Sequence, residues 1–362
     1  MNKKLLALAV AGACVAPAAM AQTANPVTLY GRVYVMFESV EAKGGPSNAT
    51  PVPRRQRVTD ESSLLGVRGT EDLGGGLKAF FQLETVFRAD QNNSTFANRN
   101  SGVGLQGGFG SVVLGRWDMP WKVATIAVDP YGDLTLGGIT GTLSDGGNFD
   151  RRDQNVVQYW SPTIAGFAAR LAVTANENKT TTANPRDYGA NVTYTGGPLY
   201  AFLAYEKHKD QLGGAGGGVG NPVPTPSPIV SGTDEKGWAA GASFVFGPIK
   251  LGGQYQRIEK SSRSDQKNWM ANVVWTLGNN QFIYQYMQSK DGGLNSASEQ
   301  PDCRSHGPGY QYNFTKRTFL LAQYVKVDNK NNASTCNFGA DRLAISGGQD
   351  PQGVAVGIRH VF

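Results

Sequence analysis

The sequence predicts an all-β fold, an antiparallel transmembrane β-barrel of about 16 strands. Three observations predict it. The chain ends in an alternating strand whose last residue is aromatic, short and long connections alternate from end to end, and phenylalanine, tyrosine and tryptophan recur at strand ends. The mean hydropathy of -0.33 does not argue against a membrane protein, because a spanning strand needs only alternate residues to be apolar.

The N-terminal residues have the composition of a secretory signal peptide. Two lysines precede the apolar run 5–20, and residues 19–21, Ala-Met-Ala, have the small-x-small form of a cleavage site. We assign residues 1–21 to a cleaved signal peptide and residues 22–362 to a single barrel domain; an N-terminal anchor helix is the alternative. Loss of the two lysines lowers the formal net charge of +6 by two. The remaining charge is too small to indicate nucleic-acid binding.

The C-terminal residues 353–362 form a strand with two different faces. One parity carries valine, isoleucine, histidine and phenylalanine, and the other carries mostly glycine, alanine and arginine, which is typical of a sheet between two solvents. A soluble sheet protects such a terminal edge. A membrane barrel instead uses it as the closing seam, because lipid tolerates no unpaired backbone groups. The predicted partner is the first mature strand, Val27–Phe37.

Short turns and long connections alternate strictly along the chain. The short turns contain the glycine, asparagine and proline residues that hairpins require. This arrangement predicts an up-and-down meander with short periplasmic turns and long extracellular loops, and an even strand number that places both termini on the short-turn side. The long connections lie near residues 39–60, 88–98, 117–152, 176–185, 209–234, 259–266, 290–308 and 328–352.

Alternate apolar residues in the segments 77–84, 167–174, 199–206 and 269–277 mark the face that a barrel turns to lipid. The alternative is a soluble β-sandwich, which also places apolar residues on one face of each strand. The signal peptide, the aromatic C-terminus and the alternating connections together favour the barrel.

Two cysteines remain in the mature chain, because Cys14 is removed with the signal peptide. Cys303 and Cys336 lie in polar connections of an exported protein, where paired cysteines form disulfides. We predict a disulfide between them. Two free or buried thiols are the alternative, and thiol counting with and without reductant distinguishes the two.

No pattern indicates catalysis, a metal site or a cofactor. Residues 102–107 fit G-x-G-x-x-G, but a turn and a strand follow them, whereas a dinucleotide-binding loop requires a helix N-terminus. His208, His306 and His360 are far apart and lack metal-ligand spacing. Neither G-x-S-x-G nor H-E-x-x-H occurs. We therefore expect no catalytic residues, no metal and no cofactor.

Six motifs spread over the mature chain point to one family, and the run Gly-Thr-Glu-Asp-Leu-Gly at 69–74 is the specific one. On these residues the chain resembles the general (non-specific) porins of Gram-negative outer membranes, in particular the β-proteobacterial porin group. The motifs lie at residues 27–31, 66–79, 104–110, 114–116, 155–162 and 356–362.

The resemblance implies a homotrimer of 16-stranded barrels in the outer membrane, each a water-filled channel for ions and small hydrophilic solutes. It also implies export through the periplasm, recognition of the C-terminal Phe362 by the barrel assembly machinery, and contact with outer-membrane lipid and lipopolysaccharide. No nucleic-acid partner is expected.

The third long connection, roughly Trp117–Arg152, is too long to be a simple loop tip. The resemblance implies that it folds into the lumen and narrows the channel. Opposed charges across such a narrow aqueous gap make a transverse field that orders polar solutes. The predicted acidic residues of this constriction loop are Asp118, Asp129, Asp133, Asp145 and Asp150. The predicted pore-lining basic residues are Arg32, Arg68, Lys78, Arg116 and Arg359 on strands, with Arg151 and Arg152 at the end of the loop.

Strand alternation predicts that Arg32, Arg68 and Arg116 face the lumen. The alternative for each charged residue is a solvated position on an exposed loop. The basic wall predicts a mild anion preference. One departure from the family reduces that charge, because Leu64 stands where related porins usually carry a basic residue.

Passive diffusion of ions and small hydrophilic solutes, without covalent chemistry, is the function that the pattern and the resemblance favour. A barrel enzyme such as an outer-membrane lipase would need a Ser–His pair on the lipid face, where only His360 is available. An adhesin or receptor is a third possibility, and a substrate-specific channel would need aromatic residues along the lumen. Steady ohmic steps in bilayer recordings support a pore, whereas silence supports the enzyme or the adhesin.

Overall fold

A computed structural model of the chain describes residues 27–91, 96–132, 135–143, 148–211, 229–261, 264–292 and 301–362. The predicted signal peptide, Asp133 and Asp145 lie outside the described residues. Within them, 17 β-segments form one sheet, with one short helix, α1 (Pro120–Ile126), and a 3-10 turn at Ile139–Gly141. No described helix has both the length and the apolar composition to cross a membrane.

The β-segments follow one another in a meander. Their bounds are β1 Thr28–Gly44, β2 Val52–Asp60, β3 Leu64–Gly74, β4 Leu77–Val86, β5 Ser101–Gly107, β6 Gly110–Asp118, β7 Arg152–Trp160, β8 Phe167–Thr174, β9 Arg186–Gly196, β10 Leu199–Gln211, β11 Ile229–Phe246, β12 Ile249–Lys260, β13 Gln266–Leu277, β14 Asn280–Lys290, β15 Asp302–Asn313, β16 Thr318–Asn329 and β17 Gln349–Val361.

The segments β2 and β3 are two parts of one spanning strand. Both pair with β1, β2 with its C-terminal part and β3 with its N-terminal part. The interruption lies at residues 61–63, where Ser62 has a φ of 61°, a left-handed conformation that breaks the ladder. Counting β2 and β3 as one strand gives 16 spanning strands, so the predicted number is confirmed.

The barrel closes through antiparallel pairing of β1 with β17, from Arg32↔Val361 to Gly44↔Gln349. This is the predicted seam between the first mature strand and the C-terminus. Each remaining strand pairs with its neighbours in sequence. Closure satisfies the backbone N–H and C=O groups that an open edge would expose to lipid.

The two faces of each strand carry different side chains. On β10, Leu203 and Tyr205 are 65% and 42% exposed, whereas their neighbours Phe202 and Ala204 are 4% and 5% exposed. The exposed apolar residues form the outer surface, as expected for contact with lipid. Alternation in the sequence therefore predicted both faces of this strand.

Several strands extend beyond the predicted boundaries at the rim of the long connections. β1 and β2 occupy most of the segment 39–60 that was predicted to be a connection. Polar residues such as Glu41 and Arg57 led to that prediction. It was wrong because strand residues that face a water-filled lumen are polar as well.

Candidate functional site

The described parts of the third connection between β6 and β7, residues 119–132, 135–143 and 148–151, lie inside the barrel. Side-chain amides on the inner wall donate hydrogen bonds to its backbone carbonyls. Asn191 Nδ2 lies 2.6 Å from Pro120 O, and Asn272 Nδ2 lies 2.9 Å from Val128 O. Gln285 Nε2 on β14 likewise lies 2.8 Å from the carbonyl of residue 137. These donors occur at intervals around the wall, so they fix the path of the loop across the lumen.

Apolar packing holds the same loop against one side of the wall. Trp121 and Phe149 are both fully buried and their rings are 5.2 Å apart. They belong to a cluster that includes Phe202 and Ile258 from the strands. Burial of each such side chain contributes about 1.5–3 kcal/mol. The loop is therefore a packed part of the core of the barrel.

The eighth connection, residues 330–348 between β16 and β17, also turns inward and meets the third. The backbone N–H of Gly339 donates to Leu136 O at 2.9 Å, and that of Ala340 donates to Thr135 O at 3.1 Å. A Cβ on Gly339 would lie 2.6 Å from the backbone of residue 138, so only glycine permits this approach. Nothing in the sequence pattern indicates this contact between two loops that are far apart in the chain.

A disulfide between Cys303 and Cys336 anchors the eighth connection to the start of β15, with a Cα–Cα distance of 6.2 Å. The N–H of Cys336 also donates to Asn329 Oδ1 at 2.9 Å. Covalent and hydrogen-bonded anchors thus converge on the loop that supports the third connection.

Each described acidic residue that was assigned to the constriction has an ion-pair or hydrogen-bond partner in or next to the third connection. Asp118 is the last residue of β6 and pairs with Arg152 at 2.8 Å. Asp129 accepts the backbone N–H of Tyr131 at 2.9 Å and that of Ile139 at 3.1 Å. The partner of Asp150 is Lys122 of α1. Their predicted role opposite a basic wall stays a prediction.

Three of the predicted basic residues lie at lumen-facing positions of strands near the seam between β1 and β17. Arg32 Nε donates to Ser62 O at 3.0 Å. The guanidinium of Arg68 lies 4.9 Å from the centroid of the Tyr30 ring, and that of Arg359 lies 5.4 Å from the Phe319 ring. Lys78, also predicted, is exposed at the short-turn end of β4. Stacking on an aromatic ring holds a guanidinium without neutralising its charge.

Arg116 lies next to an irregularity in the pairing of β6 with β7, where alternation does not decide the side to which a side chain points. The register of β6 with β7 shifts between Gly115 and Trp117, and such a bulge re-aims the side chains around it. Arg116 Nε donates to Asn98 O at 3.0 Å. Its charge interacts with those of Arg152 and Asp118. These two residues form the ion pair that joins the two ends of the third connection. The predicted pore-lining role of Arg116 stays a prediction.

The two arginines at the end of the third connection are paired with acids. Arg151 lies 2.8 Å from Asp153 and 3.3 Å from Asp187. Burial by itself lowers the pKa of the Arg151 guanidinium, but these two carboxylates prevail and raise it. Because Arg152 pairs with Asp118, both arginines have their charge balanced locally.

Several charged residues of the inner wall were missed. Arg170 on β8 lies over the Trp160 ring at 5.1 Å; the alternation of β8 placed it inward, but it was not assigned to the pore. Arg99 pairs with Glu84. It lies in a connection, where strand alternation gives no direction for a side chain. His208 is fully buried, and its Nε2 lies 2.8 Å from Glu206 Oε1. No sequence pattern indicates these pairings.

Comparison with known proteins agrees with this geometry. The Gram-negative porin family matches residues 7–332. The chain belongs to that family. It is similar to outer membrane porin protein 32 of Delftia acidovorans, at 33% identity over the whole of both chains. It is also similar to the major outer membrane protein P.IB of Neisseria meningitidis, at 28% identity over the whole of both.

A solved porin has the same fold. The anion-selective porin from Comamonas acidovorans superposes with a TM-score of 0.75 at 28% identity, and the match covers 93% of this chain and 100% of the other. The predicted resemblance to β-proteobacterial porins is confirmed. This porin is therefore a passive diffusion channel of the Gram-negative outer membrane.

Proposed function

We propose that this porin passes ions and small hydrophilic solutes with a mild preference for anions and performs no covalent chemistry. The supporting observation is a group of arginines on the inner wall that form no ion pair in the described part of the chain. Arg68, Arg170 and Arg359 form no ion pair among the described residues. Of the acidic residues predicted for the constriction, Asp150 is paired with Lys122, and Asp129 accepts backbone N–H groups within the third connection.

The third and eighth connections both enter the lumen and contact each other there. Charges on the wall act over the Debye length, which is about 8 Å at physiological ionic strength. Wall charges in such a channel act on most ions that pass, and an excess of positive charge raises the local concentration of anions. The similar porin from Comamonas acidovorans is anion-selective, which supports the same sign here.

The test is the zero-current potential of the refolded porin in a planar bilayer between two concentrations of KCl. We expect the sign that reports faster passage of chloride than of potassium. The variant Arg68→Gln/Arg359→Gln should move the potential toward zero. The matched control Lys316→Gln, in an exposed turn between β15 and β16, should not. A wild-type potential of the cation-selective sign would reject the proposed preference.

The assembly belongs to the same proposal. Membership of the porin family supports a homotrimer that is surrounded by lipid and lipopolysaccharide, with Phe362 recognised by the barrel assembly machinery. Cross-linking of the purified porin in detergent, followed by mass measurement, tests the trimer. A monomer at all protein concentrations would reject it.

A further inference from the structure

We propose that the periplasmic half of the lumen contains a binding subsite for aromatic carboxylates, formed by Phe80, Trp160 and Arg170. The inference rests on the anion preference proposed above and names a class of solute that the channel would retain. Two aromatic rings meet here on the inner wall with one arginine that forms no ion pair among the described residues.

The first component is an aromatic surface that lies against the wall. Phe80 on β4 faces Gly104 on β5, and a Cβ at Gly104 would lie 2.5 Å from Cζ of Phe80. The glycine therefore lets the Phe80 ring lie against the sheet. The Trp160 ring on β7 is 6.1 Å from that of Phe80 and 5.3 Å from that of Trp117. Phe80 and Trp160 are each half-buried, so both leave apolar surface open to the lumen.

The second component is a positive charge with open hydrogen-bonding capacity. Arg170 lies opposite Trp160 in the register of β7 and β8, and its guanidinium carbon is 5.1 Å from the Trp160 ring centroid. Within the part of the chain that the structure describes, the guanidinium of Arg170 has no hydrogen bond or ion pair. A guanidinium stacked on a ring retains the N–H edge that binds a carboxylate through two parallel hydrogen bonds.

The subsite lies toward the short turns, on the periplasmic side of the third connection. Trp160 is the last residue of β7, and Phe80 and Arg170 lie in the N-terminal halves of strands that begin at short turns. Arginine–ring pairs also occur at Arg68 and Arg359. Among the described residues no second ring contacts Tyr30, and the second ring next to Phe319, that of Tyr34 at 5.7 Å, is buried and offers no surface to a solute. The cluster at Trp160 adds a neighbouring ring of Phe80, which gives a planar apolar solute a larger surface.

This geometry selects a solute that combines a flat apolar ring with a carboxylate. Aliphatic acids such as acetate lack the ring, and neutral aromatics such as benzyl alcohol lack the charge. Benzoate carries both groups. Because the two interactions act together only for benzoate, we expect it to occupy the channel longer than either partial analogue.

The experiment is single-channel recording of the refolded porin in KCl, with benzoate, acetate or benzyl alcohol added in turn. We expect benzoate to interrupt the current at concentrations about tenfold lower than acetate or benzyl alcohol. Both Arg170→Gln and Trp160→Leu should weaken the benzoate effect by about tenfold, as the loss of one charge-assisted or stacking interaction predicts. The variant Arg170→Lys keeps the charge without the planar fork and should give an intermediate effect.

The matched control is Arg317→Gln, which removes a positive charge from an exposed turn at the same rim and should leave the benzoate effect unchanged. Equal effects of benzoate and acetate on the wild-type channel would overturn the subsite, as would an unchanged benzoate effect in Arg170→Gln and Arg170→Lys. Failure of the anion preference gives a different result, a cation-selective zero-current potential without any added aromatic acid.

Discussion

At the residue scale, Asp129 shows how one carboxylate organises a loop in the lumen. It is 8% exposed and accepts backbone N–H groups from two parts of the third connection, that of Tyr131 and that of Ile139. The substitution Asp129→Asn places an amide N–H₂ against one of these donors. We expect it to cost about 1–3 kcal/mol of local stability, because a buried donor loses its acceptor.

The expected consequence is a less rigid third connection, seen as higher open-channel current noise and faster cleavage within the loop by a protease in detergent. The control Asp72→Asn alters a comparable acceptor, since Asp72 Oδ1 accepts the N–H of Gly74 in a short turn, but one remote from the third connection. Quiet, protease-resistant channels in Asp129→Asn would show that the carboxylate does not hold the loop.

For the other predicted charged residues, success depended on whether strand alternation determines the direction of the side chain. The inner position of Arg32 and Arg68 follows from alternation alone. The side taken by Arg116 does not follow, because the pairing of β6 with β7 is irregular next to it. The pairing of Asp150 with Lys122 depends on the path of a folded loop. Sequence patterns specify the direction of a residue in a regular strand and leave its partners open.

At the scale of elements, the eighth connection supports the third and is itself held by the Cys303–Cys336 disulfide. The disulfide spans 33 residues, and a cross-link of that kind typically stabilises by about 2–4 kcal/mol. Two backbone hydrogen bonds transmit the constraint from Gly339 and Ala340 to the third connection. Reduction should therefore loosen both loops while the strands stay paired.

We expect the wild-type channel to show more frequent conductance fluctuations after reductant is added, with an unchanged circular-dichroism spectrum. The double variant Cys303→Ser/Cys336→Ser should fluctuate without reductant and should not respond to it, which controls for other effects of the reagent. If oxidised and reduced channels fluctuate equally, the disulfide does not constrain the path of ions.

Strands and connections differ in how far the sequence predicted them. The short turns were placed well, because glycine, asparagine and proline have specific backbone requirements there. The parts of β1 and β2 within residues 39–60 were predicted to be a connection, because polar residues that face the lumen resemble loop residues in composition. The inward turn of the eighth connection was missed because its contacts join residues about 200 apart, such as Thr140 and Gly339.

At the scale of the whole molecule, closure joins the two ends of the mature chain. The seam between β1 and β17 brings Gly31 against the last residue, with Gly31 N to Phe362 O at 3.1 Å and Phe362 N to Gly31 O at 3.0 Å. The barrel has no free edge only when this pair forms. The alternating C-terminal strand predicted the seam, whereas the contact of Phe362 with a glycine required the structure.

This contact gives a prediction for barrel closure. A Cβ at Gly31 would lie 2.5 Å from Leu64 O and 2.6 Å from Cζ of Phe362. Gly31→Val should therefore displace the terminal ring and strain the pairing of β1 with β3, at a cost of about 1–3 kcal/mol. Folded barrels migrate faster than unfolded ones in unheated detergent gels, so the variant should lose the fast band at a lower temperature. The control Gly108→Val has no atom within 4 Å of the added Cβ and should unfold like the wild type. Equal unfolding temperatures for Gly31→Val and Gly108→Val would mean that the packing of Phe362 on Gly31 does not stabilise the seam.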